Sequence, residues 1–129
     1  MAPLTVAKIT KPFDIDIDLP GSKSIALRQL AICALTEEQT TLRGIPPCDD
    51  TEAMLDCLGQ LGLKIERKPG VVILQGPMKR SDDVALNARM SGASTRLLIG
   101  LAALRSGQTM IDGHSSLQVR TNTPLLETL

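Results

Sequence analysis

The chain has 129 residues, of which 43% are hydrophobic and 22% charged, the composition of one globular domain or of a piece of a larger one. Its 14 basic and 14 acidic residues cancel, so no whole-molecule field gathers nucleic acid or an anionic membrane, and any anion recognition has to be local. Phe13 is the single aromatic residue, which leaves no stacking platform for bases, and no apolar run approaches the roughly 18 residues of a membrane span.

The N-terminus, "MAPLTVAKITKPFDIDIDL", mixes Lys and Asp through its apolar residues and carries no signal-peptide core. Cys33, Cys48 and Cys57 are odd in number and lack metal-like spacing. Buried, reduced thiols in a cytoplasmic protein are the expectation.

In chain order, "FDIDIDL" (13–19) alternates strictly and predicts a half-buried strand with Phe13, Ile15, Ile17 and Leu19 on one face. After "PGS" the pattern becomes helical: Ile25, Leu27, Leu30, Ala31, Ala34 and Leu35 recur through "SIALRQLAICALT", with Ser22 or Ser24 as N-cap. "QTTLRGI" predicts a short strand. "DDTEAMLDCLGQLG" predicts a helix capped by Asp49 or Asp50 and closed by Gly62. "KIERKPGVVILQG" predicts a hairpin turning at Pro69 and Gly70.

The pattern then repeats. "AICALTEEQTTLRG" (31–44) and "GLAALRSGQTMIDG" (100–113) superpose without gaps, matching Ala34 with Ala103, Gln39 with Gln108 and Gly44 with Gly113. "SGASTRLLIGLAAL" predicts the helix before the second copy, and another helix begins near Thr123 or Pro124. The second copy stops at Leu129 without a closing glycine or strands, so the chain is expected to be the N-terminal part of a longer protein, with a natural short form as the alternative.

"PGSKSIALR" poses the functional question. It lacks the early glycine of a Walker A loop, so a nucleotide cradle is not expected. It does place Lys23 and Ser24 at a helix N-terminus, where free N–H groups and the dipole favour anions, and Arg28 lies one turn on, on the same face as Ser24. Two interpretations stay open on these residues alone: an anion site, or a serine-capped helix with two solvated cations. "SGASTR" repeats the small-residue turn followed by Arg96, and Arg120 precedes the last helix, so stacked repeats could gather several cations in one cleft.

"LPGSKSIALRQLAICAL", "CDDTEAMLDCLGQLG", "SGASTRLLIGLAAL" and "LQVRTNTPLLETL" resemble, in order and spacing, the N-terminal part of the enolpyruvylshikimate phosphate synthase (3-phosphoshikimate 1-carboxyvinyltransferase) family. Ser24 and Arg28 favour this branch over the sister UDP-N-acetylglucosamine enolpyruvyl transferases, which remain an alternative. So does a non-catalytic module that binds a phosphorylated metabolite. The resemblance implies an α/β fold of repeated βαβαββ units, the inside-out α/β barrel of enolpyruvyl transferases, here truncated. Residues 1–19 would belong with a partner domain, and 20–129 would form part of a substrate-binding domain: one unit at about 20–88 and an incomplete second at about 89–129.

The implied reaction moves the enolpyruvyl group of phosphoenolpyruvate to the 5-hydroxyl of shikimate 3-phosphate and releases phosphate, in aromatic amino acid biosynthesis. It uses no metal and no organic cofactor. Lys23 matches a lysine that contacts phosphoenolpyruvate and is the catalytic candidate here. Ser24 and Arg28 match residues that hold shikimate 3-phosphate, Gly92 and Arg120 match phosphoenolpyruvate contacts, and Arg96 and Asp50 lie near the site. The family's acid and base groups belong to the other domain, so the fragment alone is expected to be inactive and its partner is the remainder of the enzyme.

Arg89-Met90-Ser91-Gly92-Ala93 replaces the family's usual Gly-Asn-Ala-Gly-Thr, Leu27 a common asparagine and Thr121 a proline. His114 is expected to be a surface loop residue, and Asp49 and Asp50 helix caps rather than an acid/base couple.

Overall fold

In a computed structural model, residues 3–129 are described. The first helix, α1 (Lys23–Cys33), starts behind Ser22, whose hydroxyl accepts the N–H of Ile25 at 3.4 Å. Its buried stripe is Ala26, Leu27, Leu30, Ala31 and Cys33. Ile25 and Leu35, expected on that stripe, are exposed, and the helix stops at an Ala34 cap rather than running to Thr36. The chain just before α1 is pressed against a neighbouring turn. A Cβ at Gly21 would sit 2.0 Å from the carbonyl oxygen of Gly44, so only glycine fits there.

A short strand, β1 (Gln39–Arg43), leads to α2 (Asp49–Gln60). The α2 cap is Cys48, not either aspartate: its backbone N–H donates to Thr51 Oγ1 at 3.3 Å. Asp49 and Asp50 lie instead in the first helical turn, where their charge still complements the dipole, because both carboxylates are engaged by other elements. Gly62 (φ +98°) takes the left-handed residue after the Leu61 cap. The hairpin forms as expected from β2 (Lys64–Lys68) and β3 (Val71–Gln75), turning through Pro69 and Gly70.

These strands make an antiparallel sheet in the order β1-β3-β2, with Thr40 opposite Leu74 and Ile65 opposite the same Leu74. A second sheet pairs β4 (Val84–Asn87) in parallel with β5 (Thr109–Asp112), joined by α3 (Gly92–Ala102). Two short helices close the chain, α4 (Ser115–Gln118) and α5 (Thr123–Leu126). Neither β4 nor α4 is anticipated by the sequence pattern.

The core lies where α1, α2 and α3 meet over the sheets; Leu30, Met54, Leu58, Leu74 and Leu98 are each 0% exposed. The expected strand at 13–19 is not formed. Phe13, Ile15, Ile17 and Leu19 are all exposed, and no strand among the described residues pairs with that segment. A strand is stabilised by ladder hydrogen bonds and same-face neighbours, so alternation without a partner does not produce one.

Candidate functional site

The first turns of α1, α2 and α3 converge on Asp50. Ser91, the N-cap of α3, is 1% exposed and donates its hydroxyl to Asp50 Oδ1 at 2.6 Å, while accepting the N–H of Ser94 at 3.2 Å. Lys23 Nζ reaches Asp50 Oδ2 at 3.3 Å. The Ser91 hydrogen bond, followed by the Lys23 ammonium, holds the Asp50 carboxyl below the usual carboxylate range. One carboxylate thus ties a lysine on one helix to the cap of another.

Lys23, Asp50, Met90, Gly92, Arg96 and Arg120 line a cleft of about 350 Å³. Gly92 is the first residue of α3, and the earliest N–H groups of a helix have no intrahelical partner. A Cβ at this position would stand 3.0 Å from Arg120 Nη1, so glycine lets the guanidinium close over the helix end. The cleft therefore offers an ammonium, two guanidinium groups and helix-terminal amides around one carboxylate, a donor-rich set suited to a polyanion.

Ser24 and Arg28 lie to one side. Arg28 Nη1 donates to the Ser24 carbonyl at 2.8 Å and to the Ser24 hydroxyl. With Leu27, Ala93, Arg96 and Leu97 they line a neighbouring groove of about 240 Å³ between α1 and α3. Arg96 and Ala93 border both spaces, so cleft and groove lie against the same turn of α3. Leu27 packs into the core at 1% exposure.

Of the residues singled out by sequence, Lys23, Asp50, Gly92, Arg96 and Arg120 come together in the cleft, and Ser24 and Arg28 in the adjoining groove. His114 is exposed, as expected; its Nδ1 accepts the N–H of Ser116 and starts α4, away from the cleft lining. Ser91 carries a role the sequence analysis does not assign, although the repeat pairs it with Ser22, the N-cap of α1. Among the described residues no group of three His, Cys, Asp or Glu side chains is placed to hold a metal ion. None of their helices is long and apolar enough to cross a membrane.

A family profile described as EPSP synthase (3-phosphoshikimate 1-carboxyvinyltransferase) matches residues 7–129. Over 117 residues the chain is 38% identical to a 3-phosphoshikimate 1-carboxyvinyltransferase of Syntrophobacter fumaroxidans, covering 88% of this chain and 27% of that protein. Over 113 residues it is 37% identical to one from Caldivirga maquilingensis, again covering 88% and 27%. It superposes on an EPSP synthase from Acinetobacter baumannii with a TM-score of 0.76 and 28% identity, covering 88% of this chain and 27% of the other. The chain thus spans about a quarter of the length of these relatives. Sequence and fold agree over nearly the same residues: this chain belongs to the EPSP synthase (3-phosphoshikimate 1-carboxyvinyltransferase) family and has the α/β enolpyruvyl transferase fold.

Proposed function

We propose that this chain forms one wall of a site that transfers the enolpyruvyl group of phosphoenolpyruvate to the 5-hydroxyl of shikimate 3-phosphate, releasing phosphate, in the cytoplasm and without a metal or organic cofactor. The observation that carries this proposal is the meeting of Lys23, Gly92, Arg96 and Arg120 around one cleft, in a chain of this family. Each substrate carries a phosphate and a carboxylate, and two such anions approach only where fixed cations and amide dipoles offset their repulsion.

In this proposal Lys23 and Arg120 take phosphoenolpyruvate, with the Gly92 amide donating to it, while Ser24 and Arg28 hold shikimate 3-phosphate in the groove. An ammonium has three donors, so Lys23 keeps its bond to Asp50 and still offers N–H groups to a phosphate. That makes Lys23 the catalytic candidate: its charge faces the phosphate that leaves. Arg96, bordering both spaces, lies between the two anions. Acid and base groups come from the remainder of the enzyme, so this wall binds and orients.

Calorimetric titration of the chain tests this function. Shikimate 3-phosphate is expected to bind, phosphoenolpyruvate to bind more tightly in its presence, and Lys23→Ala to weaken phosphoenolpyruvate by about tenfold or more, the scale of one charge-assisted hydrogen bond. Absence of heat with both substrates, or tighter binding of UDP-N-acetylglucosamine, would overturn it.

A further inference from the structure

Arg89 is the one non-glycine residue with positive φ (+51°) among the described residues, a left-handed conformation that glycine adopts freely and arginine does not. Four contacts hold it there. Its N–H donates to Asn87 Oδ1 at 2.8 Å and its carbonyl accepts the N–H of His114 at 2.7 Å. Its guanidinium reaches across to α2, donating to Asp49 Oδ1 at 2.6 Å and Asp56 Oδ2 at 2.5 Å. Asp56 is shared with Arg67, which also pairs with Glu52, so the outer face of α2 carries a continuous ion-pair network.

The turn bearing Arg89 connects β4 to α3 and leads directly into Met90, Ser91 and Gly92. On α2, Asp49 is the immediate neighbour of Asp50. We propose that Arg89 is a positioning residue: its fork on Asp49 and Asp56 holds the first turn of α3 in register with that of α2, and so sets the Ser91–Asp50–Lys23 chain and the Gly92 amide in the cleft. Nothing in the assignment of the substrate contacts includes Arg89, which reaches the cleft only through its neighbours. Only the affinity part of the test rests on the proposed substrates.

The test is an amide NMR spectrum of the chain, with a phosphoenolpyruvate titration, for wild type, Arg89→Gly, Arg89→Lys and Asp56→Asn. Glycine accepts the backbone conformation, so Arg89→Gly is expected to stay folded while the Gly92 and Ser94 amides move and phosphoenolpyruvate affinity falls about two- to fivefold, the scale of a partly exposed ion pair. Arg89→Lys keeps the charge without the two-pronged fork and is expected to recover part of the loss. Asp56→Asn, outside the cleft, is expected to shift the same amides in the same direction, and the double variant to add little to Arg89→Gly. A folded Arg89→Gly with unchanged Gly92 and Ser94 amides and unchanged affinity would overturn the proposal, as would an Asp56→Asn variant that perturbs only its own neighbours. If wild type binds no phosphoenolpyruvate, the substrate proposal fails, and the amide shifts still decide the role of Arg89. Should Arg89→Gly fail to fold, Asp56→Asn and Arg89→Lys decide it.

Discussion

The two copies of the repeat use the same frame to deliver different chemistry. Ser22 caps α1 and Ser91 caps α3, both helices run 11 residues, and each is followed after a short turn by a strand, β1 or β5. At the first helical position one copy has Lys23 and the other Gly92, and both line the same cleft. One contributes a charge and the other a bare amide that Arg120 can cover. Ahead of the helices the copies diverge. Leu86 in β4 is 2% exposed, whereas Ile17, which by the repeat occupies the equivalent place before α1, is 69% exposed. Helices nucleate from local caps and spacing, whereas a strand exists only with its neighbour.

The sharpest way to break this comparison is to truncate the two equivalent residues. Leu86→Ala is expected to cost about 2–5 kcal/mol in denaturant unfolding. Ile17→Ala is expected to stay within about 0.5 kcal/mol. Equal losses would mean that 13–19 is packed in solution. Next in size, Arg120→Ala is expected to weaken phosphoenolpyruvate by about 1.5–3 kcal/mol, read by calorimetry, while leaving the unfolding midpoint nearly unchanged. The caps then separate the copies: Ser91→Ala removes a buried hydroxyl with two partners and is expected to cost about 1–3 kcal/mol, against about 1 kcal/mol for Ser22→Ala.

The smallest effects are pH-dependent. Asp50 has its folded pKa lowered, so its contribution is complete above the unfolded value and is lost as pH falls through the folded one. Stability should decline below about pH 4, less steeply in Asp50→Asn. Burial pushes the Cys57 thiol up to about 11. The folded state then holds its proton while the unfolded state releases it, so stability should fall as pH rises from about 8.5 towards that value, and Cys57→Ala should flatten the decline.

Much of the fold was legible because it is local. Ser22 before the apolar spacing of Leu27, Leu30 and Ala31 predicts α1, and Pro69-Gly70 between two short runs predicts the hairpin. β4 is not legible because four residues, with only Val84 and Leu86 facing inward, are too few to show alternation. Cys48 as the α2 cap was hidden by two aspartates that are better caps but are drawn to Arg89, Ser91 and Lys23. The cleft residues could be named from their motif, but not their convergence on Asp50, which depends on how three helices pack. The legible trace of Arg89 is a long side chain standing where the resembled family usually has glycine, and its positive φ explains why glycine suits that position.

The central claim is that the duplicated helix starts and their cations form one polyanion site. The most direct measurement is an amide and side-chain NMR map of the chain titrated with phosphoenolpyruvate and then shikimate 3-phosphate. Shifts gathered at Lys23, Gly92 and Arg120 with the first ligand, and at Ser24 and Arg28 with the second, are the predicted result. Saturating ligand that leaves these five residues unmoved, or that moves residues elsewhere on the surface instead, would contradict it.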